Sequence, residues 1–145
     1  RIDSINSSAD VYPAANYVAA TAAEGDSGEA IYITKRVQLK NPATAIRVVL
    51  DMIRNASADV QVMYKVLRSD DAADFDEIGW NYFNTNGSPD TPVSAVEGRT
   101  NYLEYEYTAN DIPEFIGFAI KIKMNGTNGA EVPLIKDLRA IALAI

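Results

Sequence analysis

The side chains able to do chemistry gather in two neighbouring stretches. Ser69 to Glu77 reads SDDAADFDE and brings together Asp70, Asp71, Asp74, Asp76 and Glu77. Carboxylates crowded on a loop suit a hard cation such as Ca²⁺, which is held by oxygen ligands alone. The D-x-[DN]-x-[DN]-G register of an EF-hand and its closing Glu are absent, so the stretch reads first as a solvated acidic loop and only second as a metal site. Phe75, in its middle, reads as a plug into the core. Just beyond, Ile78 to Asn84 reads IGWNYFN. Trp80 and Tyr82, at i and i+2, share one face of a strand. Such a pair can stack on a sugar, as can Tyr102, Tyr105 and Tyr107. It can equally fill a β core, and the weight of aromatic residues in β cores favours that reading.

What is missing excludes more than what is present suggests. The 145 residues contain no histidine and no cysteine. The usual general base, the Ser-His-Asp arrangement and thiolate metal sites are therefore excluded, as are disulfides. A glycosidase needs two acids at a defined separation across a cleft, one with a raised pKa. Here the acids crowd into one loop, or alternate along a strand as Glu104 and Glu106 do, which suits solvent better. The reading is of a non-enzyme with no cofactor.

Twenty acidic against 13 basic residues give a formal net charge of −7. That balance works against nucleic acid, whose phosphates call for clustered Lys and Arg. No apolar run approaches the roughly 20 residues of a membrane span, and no signal-peptide pattern opens the chain, so membrane insertion is not expected. The first residue is Arg1 rather than Met, which reads as a piece of a longer polypeptide or a processed product.

The elements that must position these residues are strands. Residues 1 to 28 are rich in Ser, Ala, Asn, Asp and Gly and read as a linker or extended arm, with Val11, Tyr12, Tyr17 and Val18 available for a strap. Residues 29 to 145 form the domain. Glu29 to Lys40 alternates as one strand, and Asn41-Pro42 supplies a turn. Ala45 to Ile53 places Ile46, Val48, Leu50 and Met52 inward, and Val60 to Leu67 places Val60, Val62, Tyr64 and Val66 on one face. Asn86 to Pro92 is turn chemistry throughout. Asn101 to Thr108 opposes Leu103, Tyr105 and Tyr107 to Tyr102, Glu104 and Glu106. In Phe115 to Met124, Ile116, Phe118, Ile120, Ile122 and Met124 share a face, with Lys121 and Lys123 on a wet one. Asn125 to Gly129 then predicts a hairpin or short loop. Leu138 to Ile145, apolar on both faces, predicts a central strand. Seven or eight short strands with no convincing helix predict an all-β fold, an antiparallel β-sandwich of jelly-roll or immunoglobulin-like type.

Three blocks, YITKRVQLKNPATAIRVVLDMIR, VQVMYKVLRSDDAADFDEIGW and the closing FAIKIKM with VPLIKDLRAIAL, carry a family resemblance across about residues 30 to 145. They resemble the C-terminal region of large virion structural proteins of marine T4-like tailed phages, cyanophages among them. The resemblance implies a tail, baseplate or fibre-associated component, located in the virion, assembled in several copies as a homo-oligomer and contacting other virion proteins. It implies no substrate. The expected function is a structural or assembly module. The alternative is a carbohydrate-binding module for host-surface glycans, built on Trp80 and Tyr82, with any Ca²⁺ in the acidic loop.

Overall fold

The computed structural model describes residues 21–23, 30–54, 58–68, 74–93, 95–126 and 133–144. Among them are eight strands: β1 (Ala30–Ile33), β2 (Val37–Ala43), β3 (Ala45–Ile53), β4 (Ala58–Arg68), β5 (Asn81–Tyr82), β6 (Leu103–Ala109), β7 (Phe115–Gly126) and β8 (Leu134–Leu143). A 3₁₀ turn at Phe75–Glu77 and one short helix, α1 (Ala95–Thr100), accompany them. The protein is all-β, and the strand pairings are antiparallel.

β1 and β2 are two halves of one edge strand laid along β7, with Ile33 opposite Lys121 and Val37 opposite Phe118. The edge strand advances four positions there against three on β7, which is a bulge over Thr34 to Arg36. Thr34 keeps the edge attached: its N–H donates to the Ile120 carbonyl, and its Oγ1 accepts from the Ile120 N–H, both at 3.0 Å. Asn41 and Pro42, expected to turn, stay inside β2 where its register against β7 breaks. A proline is tolerated there because the strand is an edge and that ladder position is already lost.

β7 continues to β4 and β4 to β5, and the second sheet runs β6-β3-β8. Only Thr44 separates β2 in the first sheet from β3 in the second. Its neighbours Ala43 and Ala45 are both buried, so the crossing is made where side chains are smallest. With β1 and β2 counted as one strand, the pairings nest: that strand lies beside β7, β3 beside β6, and β4 beside β5. β8 stands outside the nest, added to the other side of β3.

The two sheets share one core. β3 contributes Ile46, Val48, Leu50 and Met52, β4 contributes Val60 and Val62, β6 contributes Tyr105 and Tyr107, and β7 contributes Phe118, Ile120 and Ile122. The alternation of the sequence fills this layer because each strand turns every second residue toward it. Burial of each such side chain contributes about 2 kcal/mol. At the start of β7 a bulge against β4, between Leu67 and Arg68, shifts the parity. Phe115 therefore enters the core in place of Ile116.

Two expectations for the last third change. The face of β7 that carries Lys121 and Lys123 is not wet: both lysines are buried, on a strand that is central in its sheet and whose outer side meets a second, smaller core beside Lys121. The closing strand β8 is not central but the edge of the three-stranded sheet, and it pairs with β3 rather than returning beside β7. The residues of the Asn-Gly break from 127 to 132 lie outside the described segments.

Candidate functional site

The acidic stretch and the tryptophan come together on the outer face of the first sheet. β4 turns Met63 and Lys65 to that side, and β7 turns Ala119 and Lys121. Phe75 and Trp80 close over them, forming with Met63 and Ala119 a second, smaller core against which Leu67, Ile78 and Tyr82 pack. The 3₁₀ turn aims Phe75 inward. Asp74 caps that turn by accepting from the Asp76 N–H at 3.2 Å, which leaves Asp74, Asp76 and Glu77 pointing to solvent.

Lys65 is the centre of this layer. It is 5% exposed, and its Nζ donates to the Phe75 carbonyl at 3.0 Å. The same ammonium stands 4.5 Å from the Phe75 ring centre and 4.8 Å from that of Trp80. Aromatic faces offer a cation partial compensation for lost water. Burial nevertheless pulls the Lys65 ammonium below the ordinary lysine value, while Asp76 and Asp74 act to raise it. Charge, ring and carbonyl are all occupied by one another, so the layer is built to hold the turn down.

This placement bears on each residue singled out from the sequence. Trp80 is 5% exposed, so its ring offers no open face for a sugar. Tyr82 packs beside it, half-buried. Tyr105 and Tyr107 are core residues, and Tyr102 alone of the three stands exposed, with Lys136 Nζ 4.1 Å from its ring centre. Asp70 and Asp71 lie outside the described residues. Among the described residues no three acidic, histidine or cysteine side chains gather where one cation would meet them. No helix there is long and apolar enough to cross a membrane.

The feature that sequence reading missed is a flank. Among the described residues the exposed large apolar side chains, Tyr102 aside, are Ile31, Tyr32, Ile33 and Val37 on β1 and β2, and Leu134, Ile141 and Leu143 on β8. These strands edge their two sheets on the same side of the molecule. Tyr32 lines with Leu134 to Leu138 a groove of about 420 Å³, floored by Ile122 and Met124. At the other end the Thr44 N–H, at the β2–β3 crossing, donates to the Leu143 carbonyl at 2.8 Å. The opposite flank is latched: Asp90 accepts from the Thr108 N–H at 3.1 Å and from its Oγ1 at 2.7 Å, while the Asp90 N–H donates to the Glu106 carbonyl at 2.8 Å. The signal for the β8 part of the open flank was the run Leu138 to Leu143, apolar but for Arg139, which equally describes a buried strand and an uncovered edge.

No family model, curated protein or solved structure matches the chain.

Proposed function

We propose that this domain is a non-enzymatic structural and assembly module of a tailed-phage virion, in a tail, baseplate or fibre-associated part, present as a homo-oligomer among other virion proteins. The observation that carries the reading is the flank on which two edge strands expose apolar side chains while the opposite flank is latched by Asp90. Apolar surface gathered on one side, rather than scattered, marks a surface that meets protein. The sequence resemblance supplies the virion, and the absence of histidine and cysteine supports a role without catalysis. The nested pairing supports a jelly-roll form of β-sandwich, in which a long hairpin rolls up so that its first strand lies beside its last. The glycan-binding alternative has less support, because Trp80 is engaged with Lys65 inside the second core.

The test is localisation. Antibodies raised against this chain and applied to purified particles of a phage that encodes it label the tail or baseplate in negative-stain electron microscopy. Particles, intact or disrupted, that carry neither label nor peptides of this chain would overturn the reading.

A further inference from the structure

Backbone groups at the edge of a sheet are a template for another strand, and proteins that must not pair there protect them with bulges, lysines and prolines. The two edges on the open flank are treated differently. The β1–β2 edge carries all three devices: the bulge at Thr34 to Arg36, the cations Lys35, Arg36 and Lys40, and Pro42. Among the described residues the β8 edge is protected only in its first half, where Asp137 adopts a φ of 54° and the register against β3 slips between Val49 and Asp51. From Leu138 to Leu143 it runs LRAIAL, with no glycine, no proline and a single charge. In this half Ala140 and Ala142 pair with Val48 and Ile46 of β3, whose side chains face the core. Ile141 and Leu143 stand on the outer face, 50% and 40% exposed.

We infer that the Leu138–Leu143 half of β8 pairs antiparallel with the same half of β8 in a second copy of this chain, about a two-fold axis at Ile141. The three-stranded sheets of two copies then join into one. A second copy fits because the segment is complementary to itself in this register. Ile141 meets Ile141 of the other copy, Ala140 meets Ala142, and Leu143 meets Arg139. An apolar pair sits on the axis and no charge faces its like, the arrangement that cross-strand pairing favours. The one cation is already engaged at home, since Arg139 lies 3.4 Å from Glu104 and 3.8 Å from Asp51. The protected β1–β2 edge beside it keeps the first sheet out of the pairing and limits assembly to one joined sheet. The inference deepens the assembly reading by naming strand, residue and partner. It fails separately from that reading, because a chain that does not pair through β8 can still assemble in the virion through another surface.

The experiment weighs the full chain by light scattering over a concentration series and compares Ile141→Lys and Ile141→Glu, alone and mixed. The wild-type chain is expected to pass from 15.8 kDa toward twice that mass as concentration rises to about 1 mM, where association is worth about 4 kcal/mol. Each variant places like charges face to face on the axis and weakens the dimer by at least about tenfold. An equimolar mixture of the two restores it, because Lys then meets Glu. Unfolding curves check that the exposed substitutions leave the fold intact. A chain that stays monomeric throughout overturns the inference, as does a dimer that both variants leave unchanged. So does a mixture that fails to re-form the dimer, whether the contact then proves to be another surface or the first 28 residues.

Discussion

The Lys65 Nζ lies 3.0 Å from the Phe75 carbonyl and 4.5 Å from the centre of the same residue's ring, so one buried ammonium holds both the backbone and the side chain of the acidic turn. Lys65→Met keeps the aliphatic stem but leaves that carbonyl without its donor and the rings without their cation. Relief of the lysine's burial offsets part of the loss, and the net cost is about 1–2 kcal/mol. Urea unfolding measures it, with Trp80 emission moving to the red as the turn loosens. A variant as stable as the wild type, with unchanged emission, would show that the ammonium is not what holds the turn.

Tyr107 gives a prediction with a definite pH sign. Its side chain is fully buried, its hydroxyl has no hydrogen-bond partner among the described residues, and burial holds its pKa well above the ordinary tyrosine value. A raised phenol pKa means that the unfolded chain loses this proton near pH 10 while the folded chain keeps it. The contribution to stability is complete below pH 10 and falls as pH rises through the folded value, by about 1.4 kcal/mol per pH unit for one proton. Tyr107→Phe removes that component of the alkaline slope. It also removes an unpaired buried hydroxyl, so at pH 7 it stabilises by about 1 kcal/mol, or about 3 °C in Tm. Tm against pH from neutral to alkaline for the two chains reads both effects, and an unchanged alkaline slope would count against the assignment.

The inward residues of β3, β4 and β6 were legible because period-2 alternation is a local property. Ile46, Val48, Leu50 and Met52 are named correctly from spacing alone, and each is buried. Three things were not legible, for one shared reason. Lys121 and Lys123 look like a solvated stripe, but both are buried, and Trp80 folds over that face from a different part of the chain with its ring centre 5.7 Å from the Lys121 Nζ. Pro42 looks like a turn until the strand beside it shows that β2 is an edge. β8 looks central because its sequence reports only that it is apolar, not whether a second strand lies beside it. Each depends on which element becomes a neighbour, and that is set by the two-sheet arrangement rather than by the segment itself. Phe75 was legible as a plug, and Asp74, Asp76 and Glu77 beside it as solvated carboxylates on a turn.

Two glycines separate backbone need from mere packing. Gly87 has a φ of 82°, and a Cβ there would lie 2.9 Å from the Gln61 Cβ and 3.0 Å from the Val62 nitrogen. The Val62 N–H donates to the Gly87 carbonyl at 3.1 Å, so the loop cannot back away without losing that bond. Gly87→Ala is expected to cost about 2 kcal/mol or more. Gly117 in β7 has ordinary φ, and the nearest atoms to a Cβ there lie at 3.6 Å. Gly117→Ala changes stability by about 0.5 kcal/mol at most, because the gain in chain stiffness meets no clash. Thermal unfolding of the pair checks the contrast, and equal costs would contradict it.

The stretch read as a linker meets the domain at Thr21. The Trp80 N–H donates to the Thr21 carbonyl at 2.7 Å, and a Cβ on Gly79 would lie 2.9 Å from that same oxygen. Removing residues 1 to 28 leaves the Trp80 amide to find water at the rim of the second core, and the expected cost is about 1–2 kcal/mol. Truncation alone does not show that Thr21 is the cause, since many contacts leave with it. Gly79→Ala supplies the control. In the full chain the new methyl pushes the Thr21 carbonyl off the Trp80 amide and destabilises; in the truncated chain nothing is there to push. The two changes are therefore expected to be strongly non-additive, with the double variant no less stable than the truncation by itself. Additive losses would mean that Gly79 and Thr21 do not meet and that the first 28 residues stabilise the domain elsewhere.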